Sequence, residues 1–157
     1  MKSEAEVLAA LAAYCSQAER CLFDLRRKIR DAGLSPDAGK RIIRRLSDEK
    51  FVDESRFVRA FVNDKFRFNH WGRIKIAYEL KIRDIKPAIY EDAISGIDDE
   101  EYMSVLRNLL VGKRRTVKSS SPQDLFAKLM RFASSRGFET PLIVKTLKIM
   151  IKNVDYD

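Results

Sequence analysis

The sequence predicts an all-α protein: three tandem three-helix, helix-turn-helix-like units in an elongated, curved array. Three observations predict it. Apolar residues recur at helical spacing almost throughout, and no stretch shows the sustained two-residue alternation of a half-buried strand. The apolar set Leu25, Ile29, Leu34 and Ile43 returns 51 residues later as Ile76, Leu80, Ile85 and Ile94, and a further 53 residues on as Leu129, Ala133, Phe138 and Leu147. In each set a proline follows the third member within two or three residues: Pro36, Pro87 and Pro141. The pattern describes a helix, a tight turn with a buried apolar plug, then a shorter helix, with another helix ahead of each pair. The units are 1–51, 52–97 and 98–157. A unit of about 50 residues has a marginal core, so stacked units sharing apolar surface are expected.

Taken in order, the first helix covers roughly 4–15, with Val7, Leu8, Leu11, Ala12 and Cys15 on one face. Ser3 to Glu6 fits a capping box at its start, and Ser16 to Glu19 fits one for the second helix, whose stripe is Leu22, Leu25, Ile29 and Ala32. Ser35-Pro36 opens the third, because proline suits a first helical position where no N–H bond is needed. The second unit begins with a helix over roughly 54–68, striped by Phe57, Val58, Phe61 and Val62. The third begins over roughly 99–112, with Val105, Leu106, Leu109 and Leu110. Gly112 to Ser121 reads as a longer, flexible connection, and Ser121-Pro122 and Thr140-Pro141 place cap residues before the last two helices.

Composition bounds the function. The chain has 157 residues, 45% of them hydrophobic, which suits a folded domain rather than a disordered segment. Two cysteines, Cys15 and Cys21, exclude a disulfide scaffold and read as free, buried thiols in a reducing, cytoplasmic setting. The longest apolar run, Val7 to Cys15, is far shorter than the ~20 residues of a membrane span, so no membrane partner is expected. His70 is the only histidine, which leaves no histidine metal cage or relay, and no phosphate-binding glycine loop occurs. The acidic run Asp98 to Glu101 sits where a helix begins and complements its dipole. No catalytic residue, metal or cofactor is expected, and binding outweighs catalysis.

The net charge is +8, divided as +3 over residues 1–51, −2 over 52–103 and +7 over 104–157. Such a field suits a polyanionic partner, with solubility alone as the bland alternative. Arg41, Arg44 and Arg45 share a helix face in the first unit. Lys65, Arg67, Arg73 and Lys75 mark the second, and Lys113, Arg114, Arg115, Lys118, Lys145 and Lys148 the third. Rows of this kind neutralise phosphates without reading sequence; the competing reading is a solvated helix face. Phe66, Phe68, His70 and Trp71 lie among Lys65, Arg67 and Arg73. Two of these aromatics read as core, while Trp71 is a candidate for stacking on a base.

Four segments resemble the RecX family of regulatory proteins. Val52-Asp53-Glu54-Ser55-Arg56-Phe57-Val58 is similar to its [LI]DDxRFA signature. Gly72-Arg73-Ile74, Glu79-Leu80 and Ile85 are similar to its GxxRIxxELxxKGI segment, with Asp84 where that family usually has glycine. Ser16 to Ile29 resembles its N-terminal helix, with Cys21-Leu22 in place of the usual Glu-Leu. Arg131-Phe132 with Arg136-Gly137-Phe138 resembles its RFLxxRGF segment. Within these motifs Phe57, Ile74, Leu80 and Phe138 are core candidates. The resemblance implies an all-helical, non-enzymatic protein that lodges in the groove of the RecA recombinase filament. It further implies suppression of RecA ATPase, strand exchange and coprotease functions, and contact with DNA. The competing reading of the residues is a stand-alone nucleic-acid binder of tandem helix-turn-helix-like units that acts without RecA. A monomer is expected.

Overall fold

The computed structural model describes residues 2–152, which form nine α-helices and no strand. Met1 and residues 153–157, the outer ends of the first and third predicted units, lie outside the described residues. The helices are α1 (Glu4–Gln17), α2 (Leu22–Asp31), α3 (Pro36–Asp48), α4 (Glu54–Arg67), α5 (Arg73–Lys81), α6 (Pro87–Ser95), α7 (Asp99–Arg114), α8 (Pro122–Ser135) and α9 (Thr140–Met150).

Local chemistry explains most boundaries. Ser3 and Glu6 form the expected reciprocal capping box. The Ser35 hydroxyl accepts from the Ala38 amide, and the Ser121 hydroxyl from the Asp124 amide. The box expected at Ser16 does not form: Ser16 lies inside α1 and its hydroxyl donates to the Ala12 carbonyl. That helix runs on to Gln17, so α2 starts later, at an N-cap Cys21 that makes no side-chain cap bond. Nor does Thr140 cap α9. It is the first helical residue, behind Glu139, whose carboxylate is bound elsewhere. The connection predicted from Gly112 begins later, because α7 continues through Arg114.

The turn before each apolar plug is left-handed. Gly33 has φ +78°, Asp84 +57° and Gly137 +94°, immediately before Leu34, Ile85 and Phe138. Asp84 therefore makes the same kind of turn that glycine would make, using the tolerance of short polar side chains for this conformation. Of the twelve repeat positions, Leu34 and Ile43 are half-buried, and the other ten are buried.

The chain divides into two compact units. The first comprises the residues up to Phe61 together with Leu80–Tyr90. Its core joins Val7, Leu11 and Cys15 of α1 to Leu25 and Ile29 of α2, Ile42 and Leu46 of α3, and Val52. Arg56 pins two of its connections: Nε lies 2.5 Å from a Glu19 carboxylate oxygen, and the guanidinium also donates to the Lys50 and Phe51 carbonyls.

The second unit comprises Val62–Glu79 and the residues from Glu91. Leu106 and Leu110 of α7, Leu129 and Ala133 of α8, and Ile143 and Leu147 of α9 are fully buried. The Tyr102 ring lies between Phe66 and Phe138, with centroids 5.8 and 5.1 Å away. Phe138 and Leu80 are buried as expected, but Phe57 is only half-buried and Ile74 is 55% exposed. On α5, Ile76 and Leu80 take the inward face, which turns Ile74 and Tyr78 outward.

Candidate nucleic-acid interface

The start of α5 is fixed by tertiary contacts rather than by a cap side chain. The Gly72 amide donates to the Arg136 carbonyl at 2.7 Å and the Ile74 amide to the Gly137 carbonyl at 3.0 Å. Between them, the Arg73 amide donates to the Tyr102 hydroxyl at 2.9 Å. These bonds satisfy amides that a helix start leaves without partners. The approach requires two glycines. A Cβ on Gly72 would stand 2.4 Å from the Gly137 carbonyl group, and one on Gly137 would stand 2.3 Å from Lys75 Cβ.

Trp71 and Lys75 flank this junction. The Lys75 ammonium lies 4.5 Å from the Trp71 ring centroid, and the Lys65 ammonium of α4 lies 4.9 Å from it. Both are within cation–π range. The Trp71 amide also donates to the Lys65 carbonyl, which folds the α4–α5 connection back onto α4. Trp71 is half-buried, Phe66 is buried, and Phe68 is 75% exposed, so of the three only Phe66 joins the core outright. His70 is exposed with φ +56°. The result is an indole within reach of two ammonium groups, chemistry suited to a base next to a phosphate.

Arg73 has a different environment. Its guanidinium meets Asp99 at 2.8 Å and Glu139 at 3.0 Å, and its Cζ sits 3.8 Å from the Tyr102 ring centroid. The Tyr102 hydroxyl donates to Glu139. Burial opposes the Arg73 charge, yet the bonds to Glu139 and Asp99 hold its pKa above the ordinary arginine value. Burial, reinforced by the Glu139 carboxylate, pushes the Tyr102 phenol up. This network holds α5 to α7 and to the start of α9.

The other predicted cations are spread over both units. In the first unit, Arg41 pairs with Glu4 at 2.8 Å and Arg45 with Glu49 at 2.9 Å, while Arg44 lies along the α2–α3 groove. In the second, Arg67 meets Glu101 at 3.5 Å. Lys113 lies over the Phe132 ring at 5.1 Å, and Arg114 donates to the Met150 carbonyl at 2.9 Å. Arg115 ends α7, and Lys118 follows in the connection, where its carbonyl accepts from Lys128. Lys145 and Lys148 are exposed on α9. Lys65 and Lys75 are brought to one ring, that of Trp71. Ile74 and Tyr78 are exposed apolar residues of α5 that the sequence does not assign to a surface; the missing signal was the rotation of α5. Among the described residues no cluster of side chains could hold a metal ion, and no helix is long and apolar enough to cross a membrane.

Residues 53–94 match the family described as RecX, second three-helix domain. Along more of its length the chain is similar to the regulatory protein RecX of Lactobacillus johnsonii, 23% identical over 141 residues, covering 90% of this chain and 52% of that protein. It is also similar to the regulatory protein RecX of Chlorobaculum tepidum, 26% identical over 128 residues, covering 82% of this chain and 78% of that protein. The chain spans about half the length of the Lactobacillus johnsonii and Clostridium perfringens relatives (52% and 55%). A crystal structure of RecX from Lactobacillus salivarius shares the fold, with a TM-score of 0.82 at 18% identity over 94% of this chain and 96% of that one. A crystal structure described as regulatory protein RecX has a TM-score of 0.83 at 16% identity, over 93% of this chain and 71% of that one.

Proposed function

On the premise that the chain is a RecX-family protein, we propose that it is a non-enzymatic regulator of homologous recombination that binds the RecA–DNA filament in its groove. Binding there inhibits RecA ATPase, strand exchange and coprotease activity. The likeness to regulatory RecX proteins over most of the chain carries this reading. The Lys65–Trp71–Lys75 cluster supports contact with the filament's DNA. In that contact the ammonium groups move from the ring to phosphate oxygens as a base takes the indole face. Arg115, Lys118 and Lys145 add phosphate contacts, whereas Arg73 positions α5. The protein works as a monomer in the cytoplasm, through three three-helix units, 1–51, 52–97 and 98–157. The left-handed residue before each plug, Gly33, Asp84 and Gly137, supports that division.

The test follows RecA ATPase on single-stranded DNA while this protein is titrated in. Inhibition near stoichiometry is the expected result, and undiminished hydrolysis at stoichiometric amounts rejects the reading. The indole with two ammonium groups near its ring also favours a second reading, a nucleic-acid binder that acts without RecA. That reading expects tight DNA binding by the protein alone, steeply weakened by salt, with no effect on RecA beyond competition for DNA.

A further inference from the structure

A groove of about 620 Å³ opens between α2 and α3 of the first compact unit. Ile29, Leu34, Pro36, Gly39 and Ile43 give it an apolar lining. Its volume is within the about 300–1,000 Å³ typical of ligand pockets. The two repeat positions that are not fully buried, Leu34 and Ile43, both line it. Their counterparts Ile85, Phe138, Ile94 and Leu147 are 3, 1, 8 and 0% exposed. The first repeat thus leaves open an apolar plug that its counterparts close.

Arg26 and Arg30 of α2, with Lys40 and Arg44 of α3, also line the groove; Asp48 is its one lining carboxylate. Arg26 lies near Glu54, whose carboxyl feels its charge, so part of its field is already used. Arg30, Lys40 and Arg44 are exposed. Apolar lining beneath cations on both helices specifies the chemistry of an occupant. Phosphates would pair with the cations but leave the apolar surface uncovered. A peptide helix with an apolar stripe and flanking carboxylates satisfies both.

We propose that the α2–α3 groove is a docking site for an acidic amphipathic peptide helix. Its apolar side chains enter against Leu34 and Ile43, and its carboxylates pair with Arg30, Lys40 and Arg44. The proposal stands apart from RecA regulation and does not depend on it.

Fluorescence anisotropy with the full chain tests it. The probe is a labelled synthetic helix of about 14 residues, about 21 Å long, with a leucine stripe flanked by glutamates. Micromolar binding is expected. Replacing the peptide leucines by alanine should weaken it at least about tenfold, as should the surface double variant Arg30→Glu/Arg44→Glu. The peptide changes need no altered protein, and a melting curve checks that the double variant folds. Several results overturn the proposal: no binding at about 100 μM, equal binding by the alanine peptide, or equal binding to the charge-reversed chain. Two alternatives also overturn it. One is loss of oligothymidylate binding in the double variant with peptide binding intact, which makes the cations a nucleic-acid surface. The other is self-association in sedimentation that the double variant abolishes, which makes the occupant a second copy.

Discussion

Gly137→Ala should be among the most damaging single-methyl changes in this chain, and its cost follows from the junction it occupies. The new Cβ would stand 2.3 Å from Lys75 Cβ and 2.5 Å from the Lys75 amide nitrogen, at a residue with φ +94°. Left-handed backbone costs an alanine about 1 kcal/mol. Overpacking against atoms that include backbone adds about 1–3 kcal/mol. Separation of α5 from the end of α8 strains the bonds from Gly72 and Ile74, each worth about 1 kcal/mol. The total is about 4–6 kcal/mol, which lowers the melting temperature by about 8–24 °C for a chain of this size. Gly33→Ala is the control, since Gly33 has φ +78° and nothing within 4 Å of an added Cβ. Only the backbone term applies there, about 2–4 °C. Circular-dichroism melts measure both, and the emission of Trp71, the only tryptophan, reports whether the neighbouring junction has shifted. Should the two variants melt within about 3 °C of each other, the close-approach argument is wrong.

Asp84→Gly should raise the melting temperature by about 2–4 °C, because it relieves left-handed backbone and removes a carboxylate whose charge acts on Glu54. A lower value would mean that the Asp84 side chain stabilises the turn. Replacing Lys65 and Lys75 together by alanine should reduce the slope of log K against log salt by about 1.4 on single-stranded DNA, and an unchanged slope removes both from the interface. Burial raises the Cys21 thiol pKa to about 11 and that of Cys15 in the same direction. Between pH 9 and 11 the folded chain therefore retains protons that the unfolded chain has lost, and stability falls as pH rises across that window. Cys21→Ser should flatten this part of the melting-temperature profile; an unaltered profile assigns the fall to other groups. Both thiols should also resist alkylation in the native state at pH 8, relative to urea-unfolded chain.

What could be read from the sequence was local. Helix starts at Ser3, Ser35 and Ser121 were legible because a cap bond spans three residues, and the plugs were legible because helical periodicity repeats within one turn. Ser16 and Thr140 were misread because neighbouring structure intervened. A continuing helix took Ser16, and α9 begins behind Glu139, whose carboxylate binds Tyr102 and Arg73. Ile74 was misplaced because apolar composition does not fix which way a short helix such as α5 is rotated.

The candidate interface shows the same division more sharply. The sequence by itself determined an all-helical chain, its recurring apolar plugs and its positive charge, since these depend on residue type and short-range spacing. Only the tertiary structure decided which cations are paired. Arg41 finds Glu4 and Arg56 finds Glu19, each 37 residues away, and Arg73 finds Glu139, 66 residues away. It also placed the Lys65 and Lys75 ammonium groups over Trp71 and left Leu34 and Ile43 in an open groove. Charge belongs to a side chain, but its availability to a partner depends on what the rest of the fold brings within a few ångströms, where Coulomb attraction is strongest.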